Sequence, residues 1–149
     1  MTKQPFEKIL IVCTANICRS PSAELILKSK CTRLSVSSAG IKALVGKPIE
    51  ANAGRQLSVN GLKPDNHAAQ QLNAQMIQET DLVLVMEFQQ QQRLMREYPA
   101  YSGKIMLLGQ WLDNKEINDP YGKSDQAFAL VFRQIEQACD AWSQKLNQQ

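Results

Sequence analysis

Two short stretches, Lys8-Ile-Leu-Ile-Val-Cys13 and Asp81-Leu-Val-Leu-Val-Met86, are apolar at every interior position. A strand with one face in water alternates apolar and polar residues. A strand without that alternation is covered on both faces, as in parallel sheets flanked by helices. The segments around these runs carry helical periods, so the chain predicts βαβ units. Ser20-Pro21 predicts a helix start, with Ser20 as the N-cap, Pro21 at the first helical position and Glu24 in the first turn. Ala23, Ile26 and Leu27 form its apolar face. Leu34–Ser38 predicts a second strand closed by Gly40, and a helix within Ile49–Asn60 ends at Gly61. A short helix around Asn73–Glu79 precedes the strand at 81–86. A polar helix, Glu87–Tyr98, is stopped by Pro99; a strand, Lys104–Leu108, and a long loop, Gly109–Lys123, follow. Phe128, Val131, Ile135, Ala138 and Trp142 recur at alternating three- and four-residue steps and mark the core face of a last helix. The low-complexity patch Gln89–Gln92 is expected to form a solvated helix face. The fold class expected is α/β: a single domain over 1–149, with a four-stranded parallel sheet flanked by helices on both faces.

Composition narrows the function. The chain has 149 residues, the length of one domain. Its net charge of +3 (17 basic minus 14 acidic residues) is far from a nucleic-acid-binding excess. No apolar run approaches the ~20 residues of a membrane span, and the start, Met1-Thr-Lys-Gln-Pro-Phe-Glu, lacks the apolar stretch of an export signal. A cytoplasmic protein is expected, with no membrane insertion and no nucleic-acid partner. Four cysteines, at 13, 18, 31 and 139, are then expected as reduced thiols. With one histidine and no C-x2-C pair they make a poor zinc set, so a cysteine that matters here acts as a nucleophile or redox group. Cys31 and Cys139 read as core thiols.

In such sheets the working site lies at the carboxyl ends of the strands. The candidate loops are Thr14–Ser20 and Gly109–Lys123. In the first, Cys13 ends a strand, the residues Thr14, Ala15, Asn16, Ile17 and Cys18 make a tight loop, and Arg19-Ser20 opens a helix. Backbone N–H groups of such a loop point at an anion, and the helix dipole adds to their pull. The planar fork of Arg19 suits two phosphoryl oxygens. The same positive surroundings favour a thiolate at Cys13, and the Ser20 hydroxyl can donate to its sulfur. In the second loop, Asp119 stands before Pro120, which keeps it extended at the lip of a cleft, and Tyr121 can stack on an aromatic substrate. A carboxyl group there suits a proton donor to a phenol leaving group.

Cys13–Pro21, Ser38-Ala-Gly40 and Asp119-Pro-Tyr121, in this order and spacing, resemble the low-molecular-weight protein tyrosine phosphatases from about Lys8 to Leu146. The resemblance implies a metal-free, cofactor-free hydrolase of phosphotyrosine acting through a phosphocysteine. Cys13 matches the nucleophile, Arg19 the phosphate-binding arginine and Asp119 the general acid. Asn16 matches a loop-bracing asparagine, with Ser38 and His67 as its partners. Ser20 matches the hydroxyl beside the thiolate, and Cys18 a second cysteine able to form a reversible disulfide with the nucleophile. Tyr121 matches an aromatic wall of the substrate cleft, and Leu44 is expected to line that cleft too. Three positions depart from the family's usual residues: Ala15 for Gly, Glu87 for Asp and Gln70 for Arg. None of them is expected to touch the chemical groups, although a Cβ at position 15 is unfavourable if that residue needs positive φ. The loop Gly40–Glu50 looks like the bacterial branch associated with capsule and exopolysaccharide export. That implies, as partner, a phosphotyrosyl protein such as the tail of a membrane tyrosine autokinase. Two alternatives share the loop: a thiol-linked arsenate reductase and a non-catalytic phosphoprotein-binding module. The first normally carries a further mid-chain cysteine pair, but no cysteine lies between Cys31 and Cys139.

Overall fold

Alternate residues of the central strands go to opposite faces, and both faces are covered. In the computed structural model, which describes residues 5–147, β1 (Lys8–Cys13) and β3 (Leu82–Val85) lie side by side in a parallel sheet. Residues 1–4, on which part of the expectation about an export signal falls, lie outside the described residues, as do 148 and 149. The strand order is β2-β1-β3-β4, with β2 at Ser35–Gly40 and β4 at Ile105–Leu107, and every pairing is parallel. Ile9, Ile11, Leu82 and Leu84 pack under α1 (Arg19–Lys30), α2 (Ala51–Val59) and α5 (Asp125–Asn147). Leu10, Val12, Val83 and Val85 pack on the other face with Leu72, Ile77 and Leu94, the last two from α3 (Ala74–Glu79) and α4 (Phe88–Glu97). The expected α/β architecture, with helices on both faces, is the one observed.

The apolar stripe predicted for α5 is buried: Phe128, Val131, Ile135, Ala138 and Trp142 are all in the core. The larger of these side chains, such as Phe128, Val131 and Ile135, each contribute roughly 1.5–3 kcal/mol by leaving water. The Trp142 Nε1–H donates to the carbonyl of Leu107 at 3.2 Å, so the indole's polar edge is satisfied and α5 is tied to β4. Asp81, just before β3, accepts from the N–H groups of Glu7 and Lys8 at 2.8 and 2.9 Å. Those two bonds hold its carboxyl below the usual carboxylate range and join the foot of β1 to β3. Cys31 and Cys139 are buried, and burial pushes both thiols up, away from the reactive thiolate.

Two local expectations are corrected. Helix α1 begins at Arg19 with Cys18 at the N-cap, so Ser20 is inside the first turn and Glu24 lies beyond it. The Ser20 hydroxyl is taken by Cys13 and Asn16, which leaves it unable to cap the helix. The glutamine patch is not a uniformly solvated face. Gln90 is buried, and Gln91 donates to the carbonyl of Ile105 at 3.0 Å. Both side chains use their amide groups on the ends of the sheet, where backbone groups need partners.

The strand order reverses at β1: α1 carries the chain to β2 on one side, while β3 lies on the other. Crevices at such switch points, outside the carboxyl ends of the strands, are where ligands bind in open α/β sheets. The loop after β1 opens there.

Candidate active site

Residues 13–17 turn their carbonyls outward. The carbonyls of Cys13, Thr14 and Ala15 accept from the N–H groups of Ile41, Lys42 and Leu44, at 3.0, 2.9 and 3.1 Å. The Ile17 carbonyl accepts from Glu50, at 2.8 Å. The N–H groups of residues 15–18 make no hydrogen bond among the described residues. With the carbonyls held outward, these amides form a nest of partial positive charge at the start of α1. Gly40 is required for this clasp. A Cβ built on it meets the Thr14 carbonyl oxygen at 2.6 Å, closer than real side chains come.

Asn16 fixes the shape of the loop from inside. It is fully buried with φ +62°, a left-handed conformation that asparagine tolerates better than most residues. Ala15 is not among the positive-φ residues, so its Cβ carries no such strain. The Asn16 Nδ2 group donates to Ser20 Oγ at 2.8 Å and to Ser38 Oγ at 2.9 Å, which uses both of its hydrogens. Each hydroxyl then has its own proton to spend. Ser38 donates to Glu24 at 2.6 Å, and Ser20 is left to donate to Cys13 Sγ at 2.9 Å. The Ser20 N–H also approaches that sulfur, at 3.4 Å. Because a carbonyl can only accept, the 2.6 Å contact of His67 Nε2 with the Asn16 carbonyl requires the proton on Nε2. Among the described residues Ser38 and His67 thus both touch Asn16, and neither bonds Cys13.

Arg19 is buried, and its guanidinium is held from behind. Nη1 donates to Glu87 Oε1 at 2.7 Å and to the Ile117 carbonyl at 2.8 Å. Nη2 lies 4.0 Å from Asp119 Oδ2. Glu87 supplies the opposite charge that lets a guanidinium remain in a nearly water-free position. Removing one partner of such a buried pair costs about 3–5 kcal/mol. The expectation that Glu87 leaves the chemical groups untouched is therefore corrected, because Glu87 holds Arg19 directly. Gln70 touches the bracing groups instead: its N–H donates to Asn16 Oδ1 at 2.9 Å and its side chain to the Ser38 carbonyl at 2.8 Å. Asp119 is half-exposed, and its Oδ1 accepts from the Tyr121 N–H at 3.0 Å, an Asx turn that fixes the carboxyl at the rim.

Cys13, Ala15, Ile17, Cys18, Arg19, Leu44, Asp119 and Tyr121 line one pocket of about 150 Å³. Leu44 and Tyr121 are exposed rim residues, and Ile17 lies buried in the wall. Burial, with Cys13 and Asp119 nearby, pushes the Cys18 thiol up, so at rest it stays protonated and does not compete with Cys13. A larger cleft of about 450 Å³ opens elsewhere, lined by Glu24, Ser38, His67 and Gln70 among others. It borders the groups that brace the loop, and no cysteine lines it. The sequence reading missed Glu87 and Gln90. A Glu-x-x-Gln spacing directly after a strand, a variant of the capping box, was the available signal.

Fold and loop together define an anion-binding α/β domain with a thiol at the centre of its site. The model of the family described as "Low molecular weight phosphotyrosine protein phosphatase" matches residues 8–149, and the chain belongs to that family. It is 44% identical over 142 residues, 95% of either chain, to the low molecular weight protein-tyrosine-phosphatase Wzb of Salmonella typhimurium. It is 40% identical over 147 residues, 99% of either chain, to the Etp phosphatase of Escherichia coli K12. A solved structure of Vibrio vulnificus Wzb in complex with benzylphosphonate superposes with a TM-score of 0.91 at 41% identity, covering 94% of this chain and 99% of that one. This chain is a protein-tyrosine phosphatase.

Proposed function

We propose that the enzyme hydrolyses phosphotyrosine through a phosphocysteine on Cys13. The thiolate attacks phosphorus in line, forming the S–P bond as the P–O bond to tyrosine breaks, and Asp119 gives its proton to the departing phenolate oxygen. A water then attacks the phosphocysteine, Asp119 takes its proton, and the S–P bond breaks to release inorganic phosphate. Arg19 and the amides of residues 14–18 stabilise the equatorial oxygens in both steps, so electrostatics and positioning supply most of the acceleration. The observation that carries this reading is the convergence of Cys13, Arg19 and Asp119 on one pocket whose walls, Ile17, Leu44 and Tyr121, suit a phenyl ring.

The physiological substrate is a phosphotyrosyl protein of the cytoplasm, the tyrosine-rich tail of an autokinase serving capsule or exopolysaccharide export. Support comes from the relatives named Wzb and Etp and from the loop at residues 40–50. The described residues contain no helix long and apolar enough to cross a membrane. The test is turnover of synthetic phosphotyrosyl peptides carrying clustered tyrosines, beside phosphoseryl peptides of the same sequence. Release of phosphate from the tyrosyl series alone is expected, and equal rates on both would refute the reading.

Cys18 supports a redox role at the same site. Peroxide oxidises the Cys13 thiolate to a sulfenic acid; the Cys18 thiol condenses with it, forming the disulfide and releasing water. Oxidation also removes the Cys13 charge, one of the causes that hold the Cys18 thiol up. Cys18→Ala is expected to be active when reduced and to lose thiol-driven recovery after mild peroxide. Recovery as complete as in the wild type would exclude the disulfide.

A further inference from the structure

Gln90 is 5% exposed, and it connects three parts of the site. Its Oε1 accepts from the N–H groups of Met86 and Glu87, both at 3.0 Å, and its Nε2 donates to Thr14 Oγ1 at 3.1 Å. Thr14 follows the nucleophile in the phosphate loop; Glu87 holds Arg19. The link spans elements that share no local sequence, since residues 14 and 90 are 76 positions apart.

We propose that Gln90 is a positioning residue of the phosphate site, coupling the catalytic loop to the carboxylate that holds Arg19. The inference rests on the reading of residues 13–20 as the phosphate loop. Its physical basis is the chemistry of the amide. The Met86 N–H needs an acceptor, because Met86 is fully buried; the Glu87 N–H shares it, and the Thr14 hydroxyl meets a donor. Among side chains of this length only a neutral amide offers both at once. A carboxylate would accept the same two N–H groups but would bring a negative charge beside an anion site. An apolar residue would leave both N–H groups without a partner. With the amide in place, the loop amides and the Arg19 guanidinium keep one mutual geometry, which is what stabilising a phosphoryl group of fixed shape requires.

The test is a double-mutant cycle of Gln90→Ala and Thr14→Val, read as the inhibition constant of orthophosphate and as kcat and KM for p-nitrophenyl phosphate. Each single variant is expected to weaken orthophosphate inhibition and lower kcat/KM by about threefold to tenfold, the worth of one hydrogen bond. The double variant should be no worse than the weaker single. Thr14→Val leaves the bonds of Gln90 to Met86 and Glu87 untouched, so its melting temperature should match the wild type, and Thr14→Ser should restore activity. A helix-capping role alone would lower the melting temperature of Gln90→Ala and leave Thr14→Val with wild-type phosphate inhibition. That result, or losses that multiply in the double variant, overturns the proposal. If Gln90→Ala does not fold, Thr14→Val against Thr14→Ser decides by the same inhibition constant. Failure of the underlying reading is separate: a wild-type enzyme that orthophosphate does not inhibit would remove the phosphate loop itself.

Discussion

Cys13→Ser is expected to leave less than about a hundredth of wild-type kcat on aryl phosphates while orthophosphate still binds. In the proposed mechanism the thiolate is the attacking group, and a serine hydroxyl in its place is neither ionised nor matched to the longer reach of sulfur. What binds the anion does not depend on Cys13. Arg19 is anchored by Glu87 and by the Ile117 carbonyl, and the loop carbonyls are anchored by Ile41, Lys42, Leu44 and Glu50. Asn16 still bridges Ser20 and Ser38. Single-turnover kinetics, with phosphate binding followed by calorimetry, separate the two effects. Residual turnover above that level, or loss of phosphate binding along with turnover, would move the nucleophile elsewhere.

Asp119→Asn should produce the second-largest effect, and its size should depend on the leaving group. In the proposed mechanism Asp119 gives a proton to the leaving phenolate oxygen. The asparagine variant keeps the shape of the loop, because its side-chain oxygen can still accept from the Tyr121 N–H, but it has no proton to give. Phosphotyrosine, with a poorly acidic phenol, should lose on the order of a hundredfold or more in kcat, the typical worth of general acid catalysis. A substrate with a strongly acidic phenol should lose far less. Equal losses on both substrates would assign the acid to another group. In that case Asp119-Pro-Tyr121 would be a turn that shapes the rim.

The two effects differ in how their residues are held. Cys13 and Arg19 are buried, Cys13 bonded by Ser20 and Arg19 by Glu87 and the Ile117 carbonyl; Asp119 is half-exposed and held mainly by its own turn. Asp119 also lies 4.0 Å from the Arg19 guanidinium, an attraction weakened by solvent at that exposure. In the proposed roles, the acid is thus free to adjust to the leaving oxygen, whereas the nucleophile and the anion site are preset.

Ile9–Val12 and Leu82–Val85 were legible as doubly covered strands because burial on both faces leaves a mark on every residue. Cys13 and Arg19 were legible for a similar reason: a loop that closes around an anion is set by covalent spacing. The Asp119 turn also could be read locally, since proline restricts its neighbour and the carboxyl caps its own chain two residues on. Ser20 was legible as important but not as to its use, because a hydroxyl at a helix start can serve the backbone or a neighbouring sulfur. The choice depended on where Asn16 pointed. The contacts that Glu87, Gln90 and Ile117 make with the loop and with Arg19, and the strap at Ile41–Leu44, were decided by the tertiary structure. β1 pairs with β3 in a register that sets Val12 beside Val85, bringing Cys13 level with Met86 and the start of α4 into reach of Arg19. Hydrogen bonds between residues 68 and 98 positions apart follow from that pairing and from nothing local. Local spacing and burial period determine where the thiol and its anion site must be. The partners that hold them in one geometry exist only once the strands are side by side.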